Sequence, residues 1–285
     1  MQLSEGERKD LRARARALNE AELVILCLPD EAAREAVGLI ENPEVRVIDA
    51  STVHRTAPGW VYGFPELERD QRARIASSKR VGNPGCWATG FVALVRPLVR
   101  AGLVPVDFPI GASGISGYSG GGKSMIAEFE KKDSPAYVQT VARSYALTLS
   151  HKHLPEMQKW AGLSHPPVFA PMVGRYYRGM IVEVLLPLWA LPGKPATADI
   201  HQAMAAAYRG EKLVKVEPFD TVPPKSLDAE LLKQTNGMEL FVFGNDKYSQ
   251  VRLIALLDNL GKGASGAAVQ NLNIMLGLPE TTGLV

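Results

Sequence analysis

Cys86 stands inside Val81-Gly-Asn-Pro-Gly-Cys-Trp-Ala-Thr-Gly-Phe-Val-Ala-Leu-Val-Arg-Pro97. A tight turn over Asn83, Pro84 and Gly85 runs there into an apolar helical stretch, Trp87 to Val95. A sulfur at that junction faces unpaired backbone N–H groups and the positive end of the helix dipole. Such a setting lowers a thiol pKa from about 8.5 toward 7 or below and makes a nucleophile at neutral pH. The plainer reading is a small apolar residue opening a buried helix, since buried free cysteines are commonly inert.

A proton carrier is available in His151-Lys-His-Leu-Pro-Glu156. Two histidines at i and i+2 on a strand point to opposite faces, so at most one is expected to face a given sulfur. Pro155 and Glu156 suit the start of the next helix. Zinc is not expected: five histidines and two cysteines form no spaced ligand set.

A second chemistry competes. Gly111-Ala-Ser-Gly-Ile-Ser-Gly-Tyr-Ser-Gly-Gly-Gly-Lys-Ser124 contains Gly117, Gly122, Lys123 and Ser124 in the phosphate-loop pattern G-x4-G-K-S. Such a loop wraps phosphates with its amides, reaches them with Lys and holds magnesium with Ser. Leu253 to Asp258 could serve as its acidic strand. Against this, the motif follows a poor candidate strand, Val104 to Ile110, which carries Pro105 and Pro109.

The elements that must position these groups fall into two patterns. Glu5 to Leu18 reads as a helix with Arg8, Lys9, Arg12, Arg14 and Arg16 mostly off its apolar face. These are either a solvated charged face or an attraction for a phosphate such as the 2′-phosphate of NADP. Leu23 to Leu28 reads as a strand buried on both faces, with Cys27 in its core. Asp30 caps the helix that follows, and Val45 to Ile48 is a second strand ending at Asp49-Ala-Ser-Thr52. This βαβ unit puts ligand-binding edges beyond the strand ends, at Leu28–Asp30 and Asp49–Arg55.

Trp60 to Leu67, aromatic and Pro-bearing, reads as an ordered surface loop. Val168 to Arg178 and Met180 to Pro187 are strands around a turn that carries Arg175 and Arg178. Those two arginines are either anion ligands or solvated loop residues. Ala198 to Tyr208 is a helix, and Gly244-Asn245-Asp246 marks a hairpin between Leu240–Phe243 and Val251–Leu257. Gly261-Lys-Gly-Ala-Ser-Gly266 leads into a last helix whose start could hold an anion or an amide. The second half therefore reads as α+β.

The chain has 285 residues, is 46% hydrophobic and carries a net charge of +2. That balance suits a globular protein of one large or two ordinary domains and suggests neither a nucleic-acid nor a membrane partner. Two cysteines make no disulfide framework, which fits a reducing cytoplasm. Met1 to Asn19 has no apolar signal-peptide core.

Taken together, Asn83-Pro-Gly-Cys-Trp-Ala-Thr-Gly90 with Pro97, Asp49-Ala-Ser-Thr-Val-His-Arg55, Tyr62-Gly-Phe64, Ser116 to Lys123, His151 to Glu156 and Gly261 to Asn271 resemble, in order, the N-acetyl-γ-glutamyl-phosphate reductases in their shorter bacterial form. The resemblance covers nearly the whole chain and places Gly117 to Lys123 in a substrate-side loop. It implies a Rossmann-type nucleotide-binding domain, residues 1–85 with 262–285, and an α+β catalytic and dimerisation domain, residues 86–261, of glyceraldehyde-3-phosphate-dehydrogenase type.

The implied activity is NADPH-dependent reduction of an acyl phosphate in arginine biosynthesis. Cys86 is the nucleophile, with His153, or His151 in its place, as proton carrier. Ser51, Arg55, Gly114, Ser116, Gly117, Lys123 and Arg175 are the implied substrate residues. Leu28, Pro29, Asp30, Gly263, Ala264 and Gly266 are the implied contacts to NADP(H). A homodimer or homotetramer is implied. Relative to the family pattern, a Gly-rich first βα segment is not found: the first 40 residues hold only Gly6 and Gly38. A truncated form without cofactor binding is the corresponding alternative, and exposed strand edges are its expected consequence.

Overall fold

The computed structural model describes residue 4 and residues 6–219 and 225–284. Two compact units divide the chain, Met1–Pro84 with Ala267–Gly283, and Gly85–Gly266 with the last two residues. The division falls a few residues from that expected. Gly261–Ser265 form a π-helical turn in the second unit, where a Cβ added at Gly263 would come 2.7 Å from that of Cys86.

In the first unit, a short 3₁₀ turn at Glu7–Lys9 precedes helix α1, Leu11–Glu20; Glu5 lies outside the described residues. Asp10 starts α1 by accepting the Ala13 N–H at 2.8 Å. Strand β1 (Leu23–Leu26), helix α2 (Asp30–Gly38), strands β2 (Arg46–Asp49) and β3 (Val61–Tyr62), helix α3 (Gln71–Ser77) and strand β4 (Arg80–Gly82) follow. The strands form one parallel sheet in the order β1-β2-β4-β3.

This corrects three expectations. β1 lies at a sheet edge, so Ile25 is 40% exposed and only Leu26 is buried. Cys27 falls just past the strand end and is exposed, not core. The Trp60–Leu67 segment contributes β3 and buries Tyr62 and Phe64.

The second unit begins with helix α4, Cys86–Arg100, which tolerates Pro97 within it. Its further elements are β5 (Gly111–Gly117), α5 (Gly122–Glu130), β6 (Ala142–Ser144), α6 (Leu154–Ala161), β7 (Val168–Gly174), β8 (Met180–Pro187), α7 (Thr197–Ala207), β9 (Val214–Val216), β10 (Met238–Asn245) and β11 (Gln250–Leu257). Helix α8, Gly266–Met275, leads back into the first unit. The expected strand at Val104–Ile110 does not form, and the glycine stretch after it is the strand instead. Gly111–Gly117 pairs parallel with β7 and antiparallel with β8. Gly114 adopts φ +153, and a Cβ there would collide with the Ile181 carbonyl and lie 2.9 Å from the Trp87 ring.

The sheet runs β6-β7-β5-β8-β11-β10-β9. Alternation along its strands is clean. One face carries Phe169, Val173, Val182, Val184, Leu253 and Ala255, all buried, and α4 packs on it closely enough that a Cβ at Gly90 would lie 2.7 Å from Val182. The other face carries Ile181, Ile254 and Leu256, covered by Ala229 and its neighbours. Beyond that cover, Val168, Met172 and Leu185 remain 60%, 37% and 61% exposed.

Candidate active site

Gly85 is the N-cap of α4 in an extended conformation, and Cys86 is the first helical residue, half-buried. Thr89 closes the turn, sending both its N–H (2.8 Å) and its hydroxyl (3.0 Å) to the Gly85 carbonyl. The Gly85 N–H is taken by a side chain: Glu156 of α6, 2% exposed, accepts it at 2.8 Å. Helix α6 is therefore tied to the backbone beside Cys86. Glu156 was visible in the sequence only as a helix-start residue. That it reaches Gly85, 71 positions away, is a tertiary fact.

His153 is the N-cap of α6 and is buried. The two histidines do not lie on a strand, as the i, i+2 reading assumed. They sit in the turn entering α6, with ring centroids 4.8 Å apart. The His153 N–H donates to His151 Nδ1 at 3.1 Å, which puts the proton of a neutral His151 on Nε2. His151 also packs edge-on against Phe169 at 5.2 Å. Tyr145 completes this cluster, its ring 5.9 Å from that of His151. Its hydroxyl accepts the Trp87 indole N–H at 2.8 Å. Burial foremost, and then the charge of a Cys86 thiolate, push its phenol pKa up, while the Trp87 hydrogen bond opposes them. Sequence reasoning missed Tyr145; the aromatic spacing around it carried no signal.

The π-helical turn after β11 packs against Cys86 through Gly263. Asp258, fully buried, accepts the N–H groups of Leu260 (2.8 Å) and Gly261 (3.2 Å) and pairs with Arg178 at 2.6 Å. Asn259 reaches Gly179 N and Ser119 Oγ at 2.8 and 2.9 Å. π-turns of this kind recur at functional sites. Ala264 is half-buried, and Gly266 packs so closely on Asn236 that a Cβ would collide with its amide.

The phosphate-loop geometry is not formed. The N–H groups of Gly117, Tyr118 and Ser119 donate to the carbonyls of Gly179, Tyr176 and Tyr177 at 2.9 to 3.1 Å, so they cannot wrap a phosphate. Ser116 is buried, and Lys123 is exposed on α5. Arg175 donates to the carbonyls of Thr140, Phe129 and Val138 and lies over the rings of Phe129 and Tyr137. Three of its donors thus hold the 129–140 segment.

In the first unit, Ser51 and Arg55 are both buried. Arg55 donates from Nε to the Asn83 carbonyl and from Nη2 to the Ala50 carbonyl, both at 2.9 Å. It fixes the strand-end loop and the chain just before the cysteine turn. Ser51 and His54 both bond the buried Asp49 carboxylate at 2.6 Å, and His54 stacks on Trp60 at 4.0 Å. Asp30 does not cap α2, because Thr52 donates both its N–H and its hydroxyl to the Asp30 carboxylate. Leu28 and Pro29 are left as an exposed apolar lip at the carboxyl end of β1. That lip is at the end of a parallel strand where α/β folds bind nucleotides, and the exposed cations Arg8, Lys9 and Arg12 lie on the same unit. The six residues expected to contact the cofactor divide between the units, Leu28, Pro29 and Asp30 in the first, and Gly263, Ala264 and Gly266 in the second.

Residues 2–75 match the family model described as semialdehyde dehydrogenase, NAD binding domain, and residues 86–259 match semialdehyde dehydrogenase, dimerisation domain. The chain is 51% identical to N-acetyl-gamma-glutamyl-phosphate reductase 2 of Nostoc sp., over 99% of this chain and 90% of that protein. It is 50% identical to the N-acetyl-gamma-glutamyl-phosphate reductase of Brucella ovis, over 96% and 89%. Among solved structures, aspartate semialdehyde dehydrogenase II of Vibrio cholerae, complexed with ASA, superposes with a TM-score of 0.69 at 14% identity, covering 91% of this chain and 81% of that one. Aspartate semialdehyde dehydrogenase of Francisella tularensis gives 0.69 at 17%, covering 92% and 84%. These two share the fold.

Proposed function

The chain belongs to the N-acetyl-γ-glutamyl-phosphate reductases of the semialdehyde dehydrogenase family, and on that premise we propose that Cys86 carries the acyl group through the reductive dephosphorylation of N-acetylglutamyl 5-phosphate. The product is N-acetylglutamate 5-semialdehyde, an intermediate of arginine biosynthesis. The observation that carries this reading is the setting of Cys86: a half-buried thiol on the first turn of α4, beside a backbone fixed by Glu156.

The Cys86 thiolate attacks the acyl carbonyl. The bond between that carbon and the bridging oxygen of the phosphate breaks, inorganic phosphate leaves with the bonding pair, and a thioester remains. When bound, NADPH supplies the hydride that reduces the thioester carbonyl. His153, with His151 oriented beside it, gives a proton to the developing oxygen and recovers one as the carbon–sulfur bond breaks and the aldehyde forms. The N–H groups at the start of α4 and the neutral phenol of Tyr145 supply hydrogen-bond donors to the oxyanion. Lys123 on its exposed helix attracts the anionic substrate, with Gly114, Ser116 and Gly117 shaping the strand that leads to it. Ser51 and Arg55 hold the loop before the cysteine, and Arg175 holds the 129–140 segment. Leu28, Pro29 and Asp30, with Gly263, Ala264 and Gly266, are the residues that would hold the cofactor.

The dimerisation-domain match and the uncovered apolar face of the large sheet support a homodimer built on Val168, Met172 and Leu185. A catalytic thiol that must stay reduced suits the cytoplasm. Incubation with substrate alone, followed by intact-protein mass spectrometry, is expected to show an acyl adduct on Cys86. Cys86→Ser is expected to form neither adduct nor aldehyde. Retention of a tenth of native turnover by that variant would remove Cys86 from the chemistry.

A further inference from the structure

We propose that Asn259 is a positioning residue for the reaction: it fixes the loop after β5 relative to the π-helical turn beside Cys86, and so sets where the anionic substrate lies relative to the sulfur. This deepens the reductase reading and rests on it. Asn259 stands just past the end of β11 and is 1% exposed. Its Oδ1 accepts the Gly179 N–H at 2.8 Å, and its Nδ2 donates to Ser119 Oγ at 2.9 Å. The Gly179 carbonyl in turn accepts the Gly117 N–H at 2.9 Å. Gly117, Gly179, Asn259 and Ser119 thus close a ring of hydrogen bonds around the start of the loop. The loop wraps the amide closely: a Cβ added at Gly120 would lie 3.5 Å from Asn259 Nδ2.

Both sides of this ring reach the site. On one side, β5 presses Gly114 under the Trp87 ring, next to Cys86, before it enters the loop, and the loop leads into α5 with Lys123. On the other, the π-helical turn opens two residues after Asn259 and sets Gly263 against Cys86. The position calls for one donor and one acceptor in a buried place, without charge, and a carboxamide supplies both. Asp258 next to it has a separate task. Its carboxylate accepts the N–H groups of Leu260 and Gly261 in the turn itself and is balanced by Arg178. Among the described residues, the side-chain bonds of Asn259 go only to Ser119 and Gly179. Removing its amide therefore releases the loop and leaves the turn beside the sulfur in place.

The test compares two rates in the whole chain. One is kcat/KM for N-acetylglutamyl 5-phosphate, which depends on how the loop holds the substrate. The other is alkylation of Cys86 by iodoacetamide, a small neutral reagent that needs only the thiol. Asn259→Ala and Ser119→Ala are each expected to lower kcat/KM by at least about tenfold, as a small displacement does in a positioned reaction, while alkylation keeps the native rate. The double variant should lose no more than the worse single one, because the two side chains act through one shared bond. Ser119→Ala leaves every backbone bond of the ring intact, so it decides the matter if Asn259→Ala does not fold. A native kcat/KM in Ser119→Ala, losses that add in the double variant, or alkylation that falls in step with kcat/KM overturns the proposal and leaves the reductase reading standing. A native chain that is alkylated at Cys86 yet forms no aldehyde overturns the two together.

Discussion

The buried carboxylate of Glu156 accepts the N–H of Gly85 at 2.8 Å, one residue before Cys86. The sulfur is thereby located by a helix distant in sequence as well as by its own. Glu156→Ala leaves a buried N–H without its acceptor, at a cost of about 1–3 kcal/mol. Glu156→Gln keeps an acceptor oxygen. The alanine variant is expected to slow both aldehyde formation and iodoacetamide alkylation of Cys86, with the glutamine variant recovering most of each. Native alkylation rates in the alanine variant would show that the bond does not position the thiol.

Gly263 presses on Cys86 from the other side. An alanine Cβ there would lie 2.7 Å from the Cys86 Cβ, closer than real contacts allow, and a tight 3.2 Å from its Cα. Gly263→Ala is expected to cut kcat by at least about a hundredfold, as a displacement near 1 Å does in a positioned reaction. The change in melting temperature should be far smaller than that of a core cavity mutant. Steady-state kinetics and a thermal melt on one preparation test this.

Tyr145 and Tyr176 both have phenol pKa values raised above the ordinary 10, chiefly by burial. A folded-state pKa raised above the unfolded one means that the native protein holds its proton more tightly. The stabilising effect is then complete below about pH 10 and declines as pH rises further. Urea melts should show stability falling above pH 10, less steeply in Tyr145→Phe. Phenolate absorbance should report two tyrosines that ionise last. A Tyr145→Phe chain whose alkaline slope matched the native one would remove the phenol from this account.

Lysines at Met172 and Leu185 would put charge on the uncovered apolar face of the sheet. Met172→Lys with Leu185→Lys is expected to give a monomer by sedimentation with the fold intact by circular dichroism, since both side chains are exposed in the single chain. A variant that sediments as the native oligomer would move the interface elsewhere.

Local order was legible in the residues themselves. A Pro-Gly turn before an apolar run dictates a helix beginning at Cys86, and short apolar runs beside Gly-bearing turns dictate β8 and β11, because backbone stereochemistry and side-chain burial act over a few positions. Leu23–Leu28 misled because an apolar run signals burial on both faces without saying whether a neighbouring strand is there to provide it. Gly111–Gly117 misled because glycines that permit close approach look alike in a ligand loop and in a strand pressed under Trp87. The two histidines misled because a period-2 reading presupposes a strand, and theirs is a turn.

The chain's own order of residues thus determined which group is the nucleophile candidate and where its helix starts. Only tertiary structure decided what surrounds it: Glu156 at Gly85, Tyr145 under Trp87, Gly263 against the sulfur-bearing carbon. Contacts between residues tens to hundreds of positions apart depend on how sheets and helices pack, and no local pattern encodes that distance.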